Sequence, residues 1–289
     1  MASIKEYNVK LASLKNTRKM TKTMKMVSAS KLQRALSAQR NARLYATKLG
    51  ELVSRLSASV DASSHPLLTR HDPCSNALVL MFTSDKGLCG GFNNNLAKTT
   101  STWIDDNRQN FDNIHMSFCG RRGYMFFKSR AEVRTHYEDI TQRPTFADAA
   151  HLGEEMEKLF TEGEYDEIYL AYNIFHSPLS QKPNIEKLLP IEPQEVITEE
   201  ETPFSLEYIF EPEQEELLTF LLPRIMYFKL YFTLLENAAG EHGARMTAMD
   251  SATTNADKLV DKYTLLRNRA RQAEITTELT EIISGAEAL

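Results

Sequence analysis

The sequence predicts a mixed α/β protein in which a central α/β domain lies between two long terminal helices that pair as an antiparallel coiled coil. All ten prolines lie between Pro66 and Pro223, so both ends of the chain are free of the strongest helix breaker. Near both ends apolar residues recur at alternating steps of three and four, which is typical of paired helices. Between them, apolar runs of strand length alternate with helix-like stretches, which indicates βαβ units and a mainly parallel sheet.

The N-terminal segment, residues 1–65, predicts one long helix. Sixty helical residues span about 90 Å, far more than a single domain needs, so a coiled coil is the natural interpretation. The segment has a register of apolar residues at alternating steps of three and four: Leu32, Ala35, Gln39, Ala42, Ala46, Leu49, Val53, Leu56 and Val60, of which only Gln39 is polar. Extended towards the N-terminus, the same register gives Ile4, Tyr7, Leu11 and Leu14, and then the polar Arg18, Thr21, Lys25 and Ser28. At these polar positions we expect the apolar stripe to rotate to Met20, Met24 and Val27.

The C-terminal segment, residues 213–289, repeats this pattern. Many positions of its seam are alanine, which allows two helices to approach closely. Because the two segments are at opposite ends of one chain, an antiparallel pair is the simplest arrangement. The seam positions are Met249, Ala252, Ala256, Leu259, Tyr263, Leu266, Ala270 and Ala273.

The middle segment, residues 66–212, predicts the α/β domain. Residues 182–212 are rich in proline and acidic residues, which indicates a hairpin or an edge excursion before the last helix. The predicted strands are Ala77–Phe82, Ile114–Phe118, Glu132–Tyr137 and Glu167–Phe175, and the predicted helices are a stretch ending near Asn107, a short helix after Gly120, and Phe146–Phe160.

The charge is unevenly distributed along the chain. The 289 residues carry a net charge of −5, yet residues 1–58 alone carry a net charge of +11. Such a segment is expected to meet an acidic surface in this protein, on a partner protein or on nucleic acid. Nucleic acid is disfavoured because the basic run at residues 15–25 has no aromatic residues interleaved and the rest of the chain is acidic.

Composition excludes several other classes of protein. The sequence contains no apolar run long enough to cross a bilayer and no hydrophobic signal core at its start, so we expect a soluble, unprocessed chain. Three cysteines without zinc-site spacing and seven scattered histidines predict neither a disulfide framework nor a metal site, and a reducing compartment fits best. We expect no cofactor and no catalytic residue.

A glycine-rich segment, residues 84–93, follows the first predicted strand, where dinucleotide-binding folds hold phosphate. Its glycines, at positions 87, 90 and 91, do not have the spacing of a phosphate-binding loop, so we interpret it as a structural turn. Cys89 has no histidine nearby in the sequence to act as its base, which disfavours a nucleophile.

Gly240 and Gly243 are unusual in a long helix, because each costs about 1 kcal/mol relative to alanine. They leave room for close approach of another backbone or permit bending, or they are simply tolerated, and the sequence does not decide between these readings.

Three blocks of the sequence resemble the γ subunit of F-type ATP synthases. They are residues 15–32 (KNTRKMTKTMKMVSASKL), residues 87–93 (GLCGGFN), and residues 241–256 (EHGARMTAMDSATTNA), the last continuing through 267–289 to the C-terminus. The resemblance implies an antiparallel coiled coil of the two ends with a Rossmann-like domain between them.

The resemblance also implies a function and partners. A γ subunit is a non-catalytic rotor that stands inside a ring of three α and three β subunits, contacts the ε subunit and the c ring, and transmits torque from ion flow to the β subunits. An enzyme that binds a nucleotide at the glycine turn and a basic coiled-coil nucleic-acid binder are the alternatives from other classes.

Matching the blocks residue by residue implies three groups of functional positions. Rotor–stator contacts fall at Met24, Lys25, Arg245, Arg271, Gln272 and Thr276. An apolar bearing at the tip falls at Ile282, Ile283, Ala286, Ala288 and Leu289. The structural turn falls at Gly87, Cys89, Gly90 and Asn93.

Three further features bear on the resemblance to γ subunits. Gly240 and Gly243 stand where better helix formers are expected, which puts the local stiffness of the shaft in question. The region 182–212 has no cysteine pair, so thiol-switched regulation is not expected. Without a transit peptide, we expect a bacterial protein, peripheral to the cytoplasmic face of the inner membrane.

Overall fold

The computed structural model describes residues 3–57, 65–192 and 214–287 of the chain. The helices are α1 (Ile4–Ser57), α2 (Phe92–Asn107), α3 (Arg121–Phe127), α4 (Phe146–Thr161) and α5 (Gln214–Glu287), with one short 3-10 helix at Pro66–Leu68. The strands are β1 (Asn76–Phe82), β2 (Asn113–Cys119), β3 (Glu132–Tyr137), β4 (Glu167–Ser177) and β5 (Ser180–Leu189).

The described residues form two compact units. One, the helix-pair unit, comprises Met1–Ala29 and Arg245–Leu289, and the other, the α/β unit, comprises Ser30–Ala244. Helices α1 and α5 each supply residues to both units.

The described residues of the α/β unit form one five-stranded sheet in the order β3-β2-β1-β4-β5. The pairs β1–β2, β1–β4 and β2–β3 are parallel, and β5 pairs antiparallel with β4. The predicted α/β class with a mainly parallel sheet is therefore confirmed. Strand β5, which forms a hairpin with β4, begins at Ser180, earlier than the predicted 182–212 excursion, whose residues 193–212 lie outside the described residues.

Helices cover both faces of the sheet. Because successive residues of β1 point to opposite faces, its side chains belong to two different cores. Leu78, Leu80 and Phe82 belong to a core that α4 and the first part of α5 complete. Val79 and Met81 belong to a second core, completed by α2 and α3. This arrangement explains why β1 reads as a continuous apolar run rather than an alternating one.

Helix α4 begins at a capping box. Thr145 Oγ1 accepts a hydrogen bond from Asp148 N at 3.2 Å, and Asp148 Oδ2 accepts one from Thr145 N at 2.8 Å. Two backbone N–H groups are thereby satisfied at the helix start. The observed first residue, Phe146, is the one that the sequence predicts.

In the helix-pair unit α1 and α5 run antiparallel. Tyr7 lies beside Tyr263, with ring centroids 6.3 Å apart, and further along both helices Arg18 pairs with Asp257 at 3.0 Å. The partner's residue number falls as the α1 number rises, which confirms the predicted direction of pairing.

The expected rotation of the apolar stripe on α1 is wrong. Met20 is 60% exposed and Val27 is 52% exposed, whereas Thr21 and Ser28 are buried, so the original register continues through the polar segment. The physical reason is visible at Thr21, whose hydroxyl lies 2.7 Å from that of Thr253 on α5. Small hydroxyl side chains fit into a close helix interface when they have hydrogen-bond partners there.

The seam predicted on α5 also needs one correction. Leu259 is 41% exposed, and its neighbour Val260 is buried instead. With Thr253 facing Thr21, the observed seam runs through Met249, Thr253, Ala256 and Val260. Met249 and Ala256 are seam residues as predicted, and at the two alternate positions the seam passes through Thr253 and Val260 instead of Ala252 and Leu259.

Candidate functional site

The glycine turn connects β1 to α2. Leu88 and Gly90 both have positive φ, of 65° and 59°, so the backbone reverses sharply here. Asn93, in the first turn of α2, closes the loop: its Oδ1 accepts a hydrogen bond from Ser84 N at 3.0 Å, and its Nδ2 donates to Cys89 Sγ at 3.2 Å. Cys89 is buried against Phe92 in a small apolar cluster.

Helix α5 fills the crevice where an open parallel sheet usually binds a ligand. That crevice lies beyond the carboxyl ends of the strands where strand order reverses, here between β1 and β4. Asn237 Nδ2 donates to Thr83 O, just after β1, at 3.3 Å, and Glu236 Oε2 accepts from Phe175 N in β4 at 2.7 Å. The end of β1 and the end of β4 are therefore both bonded to α5.

Gly240 and Gly243 allow this close approach. A Cβ at position 240 would lie 2.7 Å from Phe92 Cε2, and one at position 243 would lie 2.9 Å from Phe175 Cε2. Real Cβ atoms essentially never come so close to another heavy atom, so a side chain at either position would displace the aromatic ring. Of the interpretations left open by the sequence, close approach is supported, although the nearest atoms at Gly240 belong to side chains and not to another backbone, and α5 remains helical through both glycines.

Glu236 joins three elements of the α/β unit. Besides Phe175 N, its carboxylate accepts a hydrogen bond from Gln39 Nε2 of α1 at 2.8 Å. Burial raises the pKa of Glu236 above its ordinary value, although the bonds from Phe175 and Gln39 oppose the rise. Sequence reasoning missed this contact, and the available signal was that Gln39 is the one polar residue in its register.

Ion pairs join the two helices among the described residues of the helix-pair unit. Arg18 meets Asp257, and Lys25 Nζ lies 2.5 Å from Asp250 Oδ1. Part of the excess positive charge of the N-terminal segment thus meets acidic residues of this same chain. Each pair is about half exposed, so its contribution to stability is at most about 1 kcal/mol.

The proposed rotor–stator residues belong to the helix-pair unit but differ in exposure. Met24 and Lys25 are half-buried, and Arg245 is buried. Arg271, Gln272 and Thr276 are exposed, and the Thr276 hydroxyl donates to Gln272 O at 2.8 Å. The structure therefore places these six residues along two helices rather than in one cluster.

The residues of the predicted bearing lie at the end of α5. Ile282 and Ile283 are 68% and 58% exposed, and Ala286 is also exposed. Ala288 and Leu289 lie outside the described residues. Consecutive exposed isoleucines at a helix end form an apolar surface of the kind that a partner usually covers.

The described ranges 3–57, 65–192 and 214–287 contain no group of His, Cys, Asp and Glu side chains that could hold a metal ion. In the same ranges no helix is long and apolar enough to cross a membrane.

The fold and contacts define a class of protein: a doubly wound α/β unit whose ligand crevice is filled by its own terminal helix, combined with an antiparallel helix pair. The family model for ATP synthase matches residues 3–289. The ATP synthase gamma chain of Geobacter metallireducens is 47% identical over 289 residues, covering 100% of this chain and 99% of that one. The gamma chain of Trichlorobacter lovleyi is 45% identical with the same coverage. The chain belongs to the ATP synthase gamma chain family.

Solved structures agree with this fold. The central stalk of the Tetrahymena thermophila mitochondrial ATP synthase matches with a TM-score of 0.56 and 26% identity, covering 81% of this chain and 99% of that one. The rotor of the Euglena gracilis mitochondrial ATP synthase matches with a TM-score of 0.63 and 20% identity, covering 94% of this chain and 98% of that one.

Proposed function

We propose that this chain is the central-stalk rotor subunit of an F-type ATP synthase, which turns with an ion-driven c ring and transmits torque to the catalytic β subunits. The observation that carries the proposal is the full-length match to bacterial gamma chains at 45% and 47% identity. A likeness over the whole chain includes both terminal helices, the parts that a rotor needs.

We propose further that the chain is non-catalytic. The bonds from Asn237 to Thr83 and from Phe175 to Glu236 support this, because they close the crevice in which a Rossmann-like enzyme would place its nucleotide. On this proposal Gly87, Cys89, Gly90 and Asn93 form a structural turn that seats α2 against β1.

Met24, Lys25, Arg245, Arg271, Gln272 and Thr276 are proposed to face the stator as the helix pair turns. The exposed polar side chains of Arg271, Gln272 and Thr276 suit a sliding surface, since contacts worth about 0–1 kcal/mol form and break at little cost, whereas Arg245 is buried in the structure. The Lys25–Asp250 pair supports a refinement of this idea. An acidic group on a passing β subunit would compete with Asp250 for the Lys25 ammonium group rather than capture an isolated charge.

Ile282, Ile283, Ala286, Ala288 and Leu289 are proposed to form a bearing inside an apolar collar. The exposure of Ile282 and Ile283 supports this, because two large apolar side chains in water gain free energy when a collar covers them.

The proposed partners are three α and three β subunits around one copy of this chain, the ε subunit and the c ring. The proposed location is the cytoplasmic face of a bacterial inner membrane, with membrane association through the complex. We also propose that the chain divides functionally into a helix at 1–65, a Rossmann-like domain at 66–212 and a helix at 213–289.

Co-expression with the α and β subunits of the same organism tests the proposal. Native mass spectrometry of the purified particle should give three α, three β and one copy of this chain, and the particle should hydrolyse ATP. A folded chain that stays alone in the presence of assembled α and β subunits would overturn the rotor proposal.

A further inference from the structure

A cavity of about 430 Å³ lies within the α/β unit, away from the glycine turn. Its walls come from α1, from α5, and from the segment 142–145 that leads into α4. This volume is within the range of sites that hold small organic molecules. We call it the α1–α4–α5 cavity.

The charged side chains that line the α1–α4–α5 cavity are basic. Lys31 and Arg34 come from α1 and Arg143 from the segment before α4, while the described lining contains no carboxylate. The other polar residues of the lining are Gln142, Thr145 and His242. Asp148, the acidic residue at the start of α4, is not in this lining, and its Oδ2 accepts hydrogen bonds from Thr145 N and Oγ1.

A second cavity in the same unit shows that this bias is not general. That cavity, of about 360 Å³, is lined by Arg108 and Arg130 but also by Asp112 and Glu132. Its cationic groups therefore have acidic neighbours within the same lining. The α1–α4–α5 cavity has three cationic side chains without such neighbours in its lining, which favours an anionic ligand, while the Gln142 amide donates to Asp139 Oδ1 at 3.5 Å.

The apolar part of the lining is built mostly from small residues. Ala35, Leu235 and Ala238 are buried, whereas Ala38 of α1 and Pro144 are half-buried. Small apolar side chains leave room for a flat apolar group beside Ala38 and Pro144. The lining therefore combines cationic donors with an accessible apolar surface.

We infer that the α1–α4–α5 cavity binds an organic phosphate in which phosphate groups are joined to a flat apolar group, as in a nucleoside phosphate. Arg34 and Arg143 donate to the phosphate oxygens, as planar guanidinium groups do with bidentate geometry. The flat group lies against Ala38 and Pro144. The bound ligand ties α1 and α5 to the start of α4.

Calorimetric titration of the full chain with three probes tests each part of the inference. ADP has both halves of the ligand, pyrophosphate has only the phosphates, and adenosine has only the flat group. We expect ADP to bind one to one, pyrophosphate to bind at least about tenfold more weakly, and adenosine to bind most weakly. Raising the salt concentration should weaken the binding of ADP and of pyrophosphate but not the binding of adenosine.

Two variants separate the two halves of the site. Arg34→Gln combined with Arg143→Gln should weaken ADP binding at least about tenfold, and both positions are exposed, so the fold should survive. Ala38→Leu should weaken the binding of ADP but not that of pyrophosphate, because the added side chain takes the place proposed for the flat group.

Arg40→Gln combined with Arg121→Gln is the matched control, since it removes the same charge at exposed positions outside the cavity lining. The control should bind ADP like the unmodified chain. The inference is overturned if ADP does not bind, if adenosine binds as tightly as ADP, or if the control pair weakens ADP as much as the cavity pair. The rotor proposal is unaffected by any of these results, because subunit assembly tests it separately.

Discussion

The Glu236 carboxylate is held by groups far from it in the sequence. Gln39 approaches from α1 and Phe175 N from β4, and both donate to it within the α/β unit. Burial raises the pKa of Glu236, because the ionised form loses its hydration there. His176 lowers this pKa and Glu186 raises it further, so the carboxylate lies in a mixed electrostatic setting.

The raised pKa gives a testable pH dependence. The folded protein holds the Glu236 proton more tightly than the unfolded chain does, so its stabilising contribution is complete below the unfolded pKa, about 4.3, and is lost as pH rises through the folded pKa. Glu236→Gln removes this titration. We expect the free energy of unfolding of the original chain, relative to that of Glu236→Gln, to fall as pH rises from about 4, measured by urea denaturation.

Glu236→Ala is the companion variant. It leaves Phe175 N without its acceptor and should lower the free energy of unfolding by about 1–3 kcal/mol at neutral pH. Glutamine keeps an acceptor for Phe175 N and should cost less than alanine. Parallel pH profiles for the original chain and Glu236→Gln would contradict the assigned pKa direction.

At the scale of elements, close packing of helix α5 depends on residues that ordinary helix propensity disfavours. Gly240 lies against Phe92, the first residue of α2, and Gly243 lies against Phe175 and Pro178. The helix gives up about 1 kcal/mol of propensity at each glycine and gains contact with the turn and with β4. In the helix-pair unit Thr21 and Thr253, which are also poor helix formers, lie in the helix interface and form a hydrogen bond where an apolar contact is usual.

Gly240→Ala should therefore destabilise the protein although alanine is the better helix former. The added Cβ would lie 2.7 Å from Phe92 Cε2, and such overpacking costs about 1–3 kcal/mol. Thermal unfolding measures the change. Phe92→Leu in the same chain should recover part of the loss relative to the sum of the single changes, which a double-mutant cycle reveals.

Ser251→Ala is the control for propensity alone, since Ser251 is an exposed position within the same helix. It should change stability by no more than about 0.5 kcal/mol. If Gly240→Ala instead raised the melting temperature, the close approach between position 240 and Phe92 would not limit packing.

At the scale of the whole molecule, the chain combines a closed α/β unit with a helix pair that keeps apolar side chains exposed. Val9, Met20 and Met26 on α1 and Leu265 and Ile275 on α5 are each more than 45% exposed. Scattered apolar residues are normal on any surface, but their concentration on one helix pair suits a part that turns inside a ring of partners.

Met24→Lys should impair coupling more than folding. Met24 is half-buried beside Lys25, and a second ammonium group there adds repulsion on the face proposed to meet the stator. Comparing proton pumping with the ATPase rate in reconstituted vesicles checks the prediction, and we expect pumping per ATP hydrolysed to fall. An unchanged ratio would count against the assignment of this position.

Deleting residues 282–289 should weaken assembly or centring of the rotor, because it removes the exposed Ile282 and Ile283. The yield of the assembled complex and its ATPase rate measure the effect. Complex made at the normal yield, with normal turnover, would argue against a bearing at this end of the helix.

The sequence by itself determined the order and type of α1 to α5 and of β1 to β4. Helix and strand periods are local properties, so the edges of β3 and the first residue of α4 were predicted to the residue. The proline distribution likewise marked α1 and the part of α5 after Pro223, although α5 begins at Gln214 and includes that proline. The glycine turn was located from its place after β1, and its unusual spacing already disfavoured a phosphate loop.

Only the tertiary structure decided which residues meet. Gln39 and Glu236 are 197 residues apart, and no local pattern states that they share a hydrogen bond. The same holds for Gly240 with Phe92, for Thr21 with Thr253, and for the three cationic side chains that converge on one cavity. Periodicity fixes which side of an element is buried, but contact between distant residues depends on how whole elements pack. This packing also decided that α5, rather than a ligand, fills the crevice of the sheet.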